Sequence, residues 1–194
     1  MRVAAIIVAF VLAAFAGVTA SADRAADQAA VEAAQYDTYR QPAKIVASLS
    51  LRPGMRVADV GAGRGFFTTR LADAVGRSGH VVALDVDADA LAAIPPSSIV
   101  ETRRVAADDP QLEPRRYNRI LVAEVDHLLP DRVAYLRKLA QALTPDGYIA
   151  VSNRMLFRRP LLAAAEAAGL RATEVPLGLP AHFFIRLEPK IVGK

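Results

Sequence analysis

Three glycines at alternate positions, Gly61, Gly63 and Gly65, follow a short apolar run and precede a segment with helical apolar spacing. Glycine permits positive-φ turns and lets a ligand approach the backbone closely. The amides that begin the next helix favour a carboxylate or a phosphate. Asp85 ends the next apolar run, 24 positions after Gly61. A carboxylate there can accept hydrogen bonds from both hydroxyls of a ribose, so the spacing predicts a nucleoside site.

The glycine spacing also separates two classes of cofactor. The dinucleotide pattern is G-x-G-x-x-G, and its third glycine would fall on Phe66. A pyrophosphate needs close backbone contact there, whereas S-adenosylmethionine (SAM) offers a methionine carboxylate and a ribose instead. The loop therefore favours SAM over NAD. A loop of this shape that binds nothing is the remaining alternative.

Other kinds of site find no support in the sequence. The three histidines show no H-E-x-x-H spacing, so no metal site is predicted. Cysteine is absent, which excludes disulfides and thiolate chemistry. No G-x-S-x-G elbow is present. The net charge of +4 comes from scattered arginines without interleaved aromatic residues, so a nucleic-acid partner is not predicted.

Strands and helices alternate after the first 50 residues. We predict strands over 56–60, 80–84, 99–105, 119–123, 148–152, 172–175 and 182–187, and helices over 42–49, 66–75, 88–94, 132–143 and 161–168. This alternation predicts one α/β domain over 51–190, a mostly parallel sheet with helices on both faces. The link at 176–180 is too short for a crossover helix, so the last strand should be antiparallel. The segment 23–50 is predicted to be helical, with 42–49 against the sheet edge.

Residues 1–22 have the pattern of an export signal. Arg2 precedes an uncharged apolar run over 3–18, and Ala20-Ser21-Ala22 has the small-x-small form of a cleavage site. We predict cleavage after Ala22 and a periplasmic or extracellular domain, because the positive residue stays inside. The alternative is an uncleaved membrane anchor, which would be the membrane contact of the protein.

The segment DVGAGRGFF resembles the first motif of class I SAM-dependent methyltransferases, and VVALDVD resembles the second. LRPGMRVADVGAG, DDPQL and EVDHLLPDRVAYLRKLAQALTPDGYIAV follow in the family order. The chain is similar in particular to exported bacterial methyltransferase-like proteins with GAGTGYF-type loops. The resemblance implies a single three-layer α/β/α domain whose seven strands lie in the order 3-2-1-4-5-7-6, with strand seven antiparallel.

The resemblance also implies which residues hold SAM. It places Asp59, Gly61, Ala62, Gly63 and Gly65 around the methionine end. Asp85 would bind the ribose, Val86 would pack near the adenine ring, and Asp108 or Asp109 would accept a hydrogen bond from the adenine amine. Glu124 would contact the amino group of the cofactor or bind the loop. Arg64 stands where the family often has threonine.

Methyl transfer from a sulfonium is an in-line displacement, so the protein mainly orients the reactants and can remove a proton. The resemblance places the acceptor near the end of strand four, at Glu124, Asp126 and His127. His127 is a candidate general base, with a helix-start or packing role as its alternative. His80 and His182 are predicted to be structural.

Two functions stay open at this point. The first is an enzyme that uses SAM to methylate an unidentified acceptor, a small molecule or another compound. The second is an exported non-enzymatic module that reuses the fold to bind SAM or a nucleoside, because SAM is made in the cytosol and is charged. A dinucleotide-dependent oxidoreductase is a third reading, which Phe66 disfavours.

Overall fold

The computed structural model describes residues 38 and 40–190. In this part of the chain, seven strands form one sheet in the order β3-β2-β1-β4-β5-β7-β6. The strands are β1 (Arg56–Val60), β2 (His80–Asp85), β3 (Val100–Arg104), β4 (Tyr117–Ala123), β5 (Leu143–Arg154), β6 (Leu170–Glu174) and β7 (His182–Pro189). Strands β1 to β5 pair in parallel, whereas β7 is antiparallel to both of its neighbours. The predicted strand order and the antiparallel last strand are confirmed.

Residues 42–190 contain five α-helices, α1 (Pro42–Ser48), α2 (Thr68–Val75), α3 (Ala88–Ala92), α4 (Arg132–Ala142) and α5 (Arg158–Ala167). One-turn 3₁₀ helices at Asp126–Leu128 and Met155–Phe157 follow β4 and β5. The predicted elements all exist, with bounds that differ by a few residues. Residues 1–22 and most of the predicted helical segment 23–50 lie outside the described residues. No helix among the described residues has the length and apolar content needed to cross a bilayer.

Helices pack on both faces of the sheet and bury its apolar side chains. On one face Leu136 and Leu161, from α4 and α5, belong to the same buried cluster as Ile120 of β4. On the other face Ile45 and Leu71, from α1 and α2, belong to a second cluster. The central strands are buried on both faces, which explains why they read as continuous apolar runs in the sequence.

The predicted position of 42–49 at the sheet edge is wrong. Ile45 and Leu49 are 1% and 0% exposed and cluster with Val57 of β1 and Tyr148 of β5, on the face of the central strands. The Tyr148 hydroxyl donates to the Leu49 carbonyl over 2.9 Å. Two apolar side chains four positions apart need a broad apolar surface for burial, which a sheet edge does not offer.

The parallel arrangement determines where the candidate residues lie. Because β1 to β5 run in one direction, their carboxyl ends meet at a single edge of the sheet. The segment with Gly61, Gly63 and Gly65, called the glycine loop below, follows β1 there. Asp85 ends β2, and the 3₁₀ helices follow β4 and β5. In open α/β sheets, ligands bind at this edge.

Candidate functional site

The glycine loop adopts a backbone that requires glycine. Gly61 has φ +73°, and a Cβ built there would lie 2.1 Å from Val125 Cγ2. Gly63 has φ +53° and open space around its missing side chain. The loop therefore passes close to the segment after β4 at Gly61 and presents bare backbone to solvent at Gly63.

Asp85 joins the loop to the end of β2. Its Oδ2 accepts a hydrogen bond from the Gly63 amide over 2.8 Å, and its Oδ1 accepts from the Asp87 amide over 3.0 Å. Each carboxylate oxygen has two lone pairs, so both oxygens can still accept from a further donor. Asp85 is thus held in a fixed orientation and keeps the capacity to bind two hydroxyl groups.

Asp59 supports the loop from the sheet side. It is 2% exposed, and the Thr68 hydroxyl at the start of α2 donates to its Oδ2 over 2.7 Å. Burial raises the pKa of this carboxyl to about 6, the Thr68 hydrogen bond opposes the rise, and the Asp85 charge adds to it. Its proximity to the ligand, as predicted from the sequence, stays a prediction.

The raised pKa makes a prediction for stability. Between its ordinary value of 3.8 and about 6, the unfolded chain loses the Asp59 proton while the folded chain keeps it, so the free energy of unfolding falls as the pH rises through this range. Asp59→Asn removes this loss. Relative to wild type, the variant should gain roughly 3 kcal/mol on going from below pH 4 to pH 7, at about 1.36 kcal/mol per pKa unit.

Urea unfolding between pH 3 and pH 8 measures this difference. Asp73→Asn, at an exposed position on α2, is the matched control and should show the pH profile of wild type. A stability difference between wild type and Asp59→Asn that does not change with pH would contradict the raised pKa.

A cavity of about 200 Å³ opens beside the loop. Its lining is mostly apolar and includes Leu84, Val86, Val105, Leu129 and Tyr135, with the polar Asp85 among them. Burial raises the pKa of the Tyr135 hydroxyl, and the charges of Asp109 and Asp85 raise it further. The cavity is thus a surface for a flat apolar group next to a carboxylate, and Val86, predicted from the sequence, lies in its wall.

Asp108 and Asp109 lie at the turn after β3, outside the cavity lining. Lys138 of α4 donates to the Asp108 carbonyl over 2.9 Å, and its Nζ lies 3.4 Å from Asp109 Oδ1. Asp109 still acts on the cavity through its charge, which reaches Tyr135. Direct acceptance of a hydrogen bond from a ligand by either acid stays a prediction.

Asp126, after β4, is completely buried. Its Oδ1 accepts from Asn153 Nδ2 over 2.6 Å, and Arg132 Nε lies 3.4 Å from Oδ2 and donates to the Asp126 carbonyl over 2.8 Å. The carboxylate therefore connects the ends of β4 and β5 with the start of α4. In this arrangement it positions neighbouring groups and does not reach the cavity lining.

The side-chain amide of Asn153 also determines the tautomer of His127. The Arg154 amide donates to Asn153 Oδ1 over 2.7 Å, so Nδ2 must be the group that faces His127 Nδ1 at 3.0 Å. Because Nδ2 can only donate, Nδ1 of His127 accepts, and a neutral ring carries its proton on Nε2. His127 also stacks on Phe157, with ring centroids 4.0 Å apart. In this geometry His127 presents a donor at Nε2, and the general-base role that the resemblance suggests for it stays a prediction.

We expect Asp126→Ala to destabilise the fold. The change leaves a buried Asn153 N–H without its acceptor and removes the carboxylate beside Arg132, at a cost of about 2–4 kcal/mol. The free energy of unfolding in urea measures this effect. Glu166→Ala, at an exposed position on α5, should change it by less than about 0.5 kcal/mol. Equal stability of the two variants would show that the Asp126 network contributes nothing.

Glu124 and His182 form a pair that the sequence analysis missed. Glu124 has φ +58°, and His182 Nε2 lies 2.8 Å from its Oε1. His182 Nδ1 lies 2.8 Å from the Pro180 carbonyl, which can only accept, so Nδ1 carries a proton. The contact between His182 and Glu124 joins the start of β7 to the carboxyl end of β4. The structural role that the sequence predicts for His182 stays a prediction.

Comparison with known proteins gives one family model and several similar solved structures. Residues 57–147 match the family model described as a methyltransferase domain. A SAM-dependent methyltransferase from Aquifex aeolicus superposes with a TM-score of 0.70 at 22% identity, over 79% of this chain and 91% of that one. A TehB-like SAM-dependent methyltransferase from Corynebacterium glutamicum superposes with a TM-score of 0.68 at 17% identity, over 89% and 99%.

One curated protein matches over a short stretch. It is a probable cobalt-precorrin-6B C(15)-methyltransferase (decarboxylating) from Thermoplasma acidophilum, 42% identical over 45 residues. The match spans 23% of this chain and 22% of that protein. The similarity therefore covers less than a quarter of the curated relative.

Proposed function

We propose that this chain is a class I SAM-dependent methyltransferase. It transfers the methyl group of SAM to an acceptor held above β4 and β5. SAM is the cofactor of this family, and when bound it supplies an activated methyl group on a sulfonium. The acceptor is left open, because acceptors are selected by loops and not by the fold.

One observation carries this proposal, namely the contact of Asp85 with the glycine loop. The carboxylate binds the Gly63 amide and lies in the cavity wall, where a ribose would place its hydroxyls against the free lone pairs. The apolar cavity suits adenine. Its volume of about 200 Å³ is smaller than the roughly 300–1,000 Å³ of typical ligand pockets. This volume suits a site that encloses the nucleoside and leaves the methionine end at the open loop.

The residues of the chain then have distinct tasks. Asp85 orients the ribose, Val86 packs against the base, and the Tyr135 hydroxyl keeps its proton and can donate a hydrogen bond. The close approach at Gly61 fixes the loop against Val125. Glu124, held by its contact with His182, helps to position an acceptor near β4. Such positioning is the main task that a pre-activated methyl donor leaves to the protein.

The experiment is methyl transfer from SAM with a labelled methyl group. The full chain is incubated with labelled SAM and with lipid, protein and small-molecule fractions of a bacterial extract. We expect label in one fraction with wild type and none with Asp85→Ala. Label that is equally abundant with the variant would contradict the assignment of the site.

A second candidate is a non-enzymatic module that binds SAM or a nucleoside. The connection after β5 favours it, because a single 3₁₀ turn over Met155–Phe157 separates β5 from α5 and leaves little chain to enclose an acceptor. This candidate expects SAM binding in calorimetry and no label in any fraction.

We also propose that the domain acts outside the cytoplasm, from the export pattern of residues 1–22. Retention of this segment as an anchor is the alternative. A fusion to a reporter that is active solely outside the cytoplasm tests the export. An inactive reporter with a stable fusion protein would contradict it.

A further inference from the structure

The exposed apolar side chains of the domain share one edge. Within residues 38 and 40–190, the large apolar residues that stay exposed are Val86 (52%), Leu128 (68%), Met155 (50%) and Leu156 (75%). Val86 follows β2, Leu128 lies in the turn after β4, and Met155 and Leu156 follow β5. All four residues therefore lie at the carboxyl ends of parallel strands. Scattered exposed apolar residues need no explanation, but grouping at one edge is typical of an interaction surface.

Three of these residues lie on two neighbouring turns. Leu128 ends the 3₁₀ helix after β4, and Met155 and Leu156 begin the one after β5. The turns are joined by the Asn153–His127 contact and by the stacking of His127 on Phe157. We call Leu128, Met155 and Leu156 the apolar tip. Leu128 also lines the cavity, so the apolar tip begins at the cavity mouth.

Arginines flank the apolar tip on the β5 side. Arg154 is exposed, and its guanidinium lies 5.3 Å from the Phe157 ring. Arg159 is exposed and has neither hydrogen bond nor ion pair within the described residues. Arg158 is paired with Glu174.

The carboxylates at this edge of the sheet either lie away from the apolar tip or have partners. Asp85, Asp87, Asp108 and Asp109 follow β2 and β3, on the far side of the cavity. Glu124 is bound to His182, and Asp131 caps α4. The β5 side of the edge therefore combines exposed apolar groups with a local excess of positive charge.

We propose that the apolar tip and its flanking arginines dock on a membrane surface that contains anionic lipids. Apolar side chains beside arginines match the boundary between acyl chains and anionic headgroups. The uncharged run over residues 3–18 would keep the domain near a bilayer if it stays uncleaved. Docking would turn the cavity mouth toward the membrane surface. The inference does not depend on methyl transfer.

The absence of tryptophan from the chain allows a direct test on the full-length protein. Leu156→Trp places one fluorophore at the apolar tip. Arg116→Trp places it at an exposed position before β4, at the opposite edge of the sheet, and is the matched control. Each is titrated with vesicles of phosphatidylcholine alone and with equal parts of phosphatidylcholine and phosphatidylglycerol. We expect a blue shift of emission for position 156 on the anionic vesicles and none for position 116.

The arginines are tested in the Leu156→Trp background. Arg154→Gln with Arg159→Gln should raise the lipid concentration for half of the shift roughly 30-fold, since each cation near an anionic surface contributes about 1 kcal/mol. Arg115→Gln with Arg116→Gln, which removes two arginines at the opposite edge, should leave it unchanged.

Three results would overturn the proposal. The first is water-like emission at position 156 while the protein co-sediments with anionic vesicles. The second is an equal shift at both tryptophan positions. The third is a shift at position 156 without vesicles, which would mean that a second copy or another part of the chain covers the apolar tip.

Discussion

Replacing Asp85 with alanine should weaken SAM binding by at least about 100-fold, because two hydrogen bonds to a charged group, each contributing about 1.5–3 kcal/mol, are lost. The same change frees the Gly63 and Asp87 amides, which the carboxylate holds at 2.8 Å and 3.0 Å. Both effects act on the ribose position and on the loop that faces the methionine end. Calorimetric titration of the full chain with SAM measures the change in affinity.

Asp89→Ala is the matched control for this experiment. Asp89 is an exposed carboxylate in the first turn of α3, four positions further along the chain, and it does not line the cavity. Its removal should leave the affinity for SAM within about threefold, as for surface changes away from a site. A similar loss in both variants would mean that the general negative charge of this region, and not Asp85 itself, attracts the ligand.

Gly61→Ala should both destabilise the fold and abolish SAM binding. A Cβ at this position would lie 2.1 Å from Val125 Cγ2, and the backbone has φ +73°. The left-handed backbone costs about 1–2 kcal/mol and the overpacking about 1–3 kcal/mol, so the free energy of unfolding should fall by about 2–5 kcal/mol. Because Gly61 and Val125 both line the cavity, the strain acts directly on the site.

Gly169→Ala separates the two contributions. Gly169 has φ +80°, but no atom lies within 4 Å of an added Cβ. It should therefore lose about 1–2 kcal/mol from backbone strain alone and bind SAM like wild type. Urea unfolding and calorimetry of both variants make the comparison. Equal losses of stability would show that the contact between Gly61 and Val125 has relaxed and carries no constraint.

The strands, the parallel sheet and the antiparallel last strand follow from local patterns in the sequence, whereas the strand order was implied by the resemblance to the methyltransferase family. Parallel strands that are buried on both faces appear in the sequence as continuous apolar runs. Such runs can be recognised without knowing which strands pair with each other. The glycine loop and Asp85 are fixed by backbone geometry close in sequence to the first two strands. For that reason Gly61, Gly63 and Asp85 could be selected before the fold was known.

The acceptor side depends on contacts that no local pattern contains. Asp126 is buried by Asn153 and Arg132, which are 27 and 6 positions away along the chain. His182 reaches Glu124 because β7 is antiparallel and therefore begins at the edge where β4 and β5 end. The position of His182 at this edge could have been predicted from the sequence, because an antiparallel last strand must begin there. The position of α1 on the sheet face depended on long-range packing of Ile45 and Leu49.

Calorimetric titration of the wild-type full chain with SAM, and separately with its demethylated product, tests the central claim most directly. The geometry of the glycine loop and Asp85 predicts saturable binding of both nucleosides at one site per chain, with a rise in melting temperature as the ligand concentration increases. Absence of binding heat together with an unchanged melting temperature at millimolar concentrations of either compound would contradict the account.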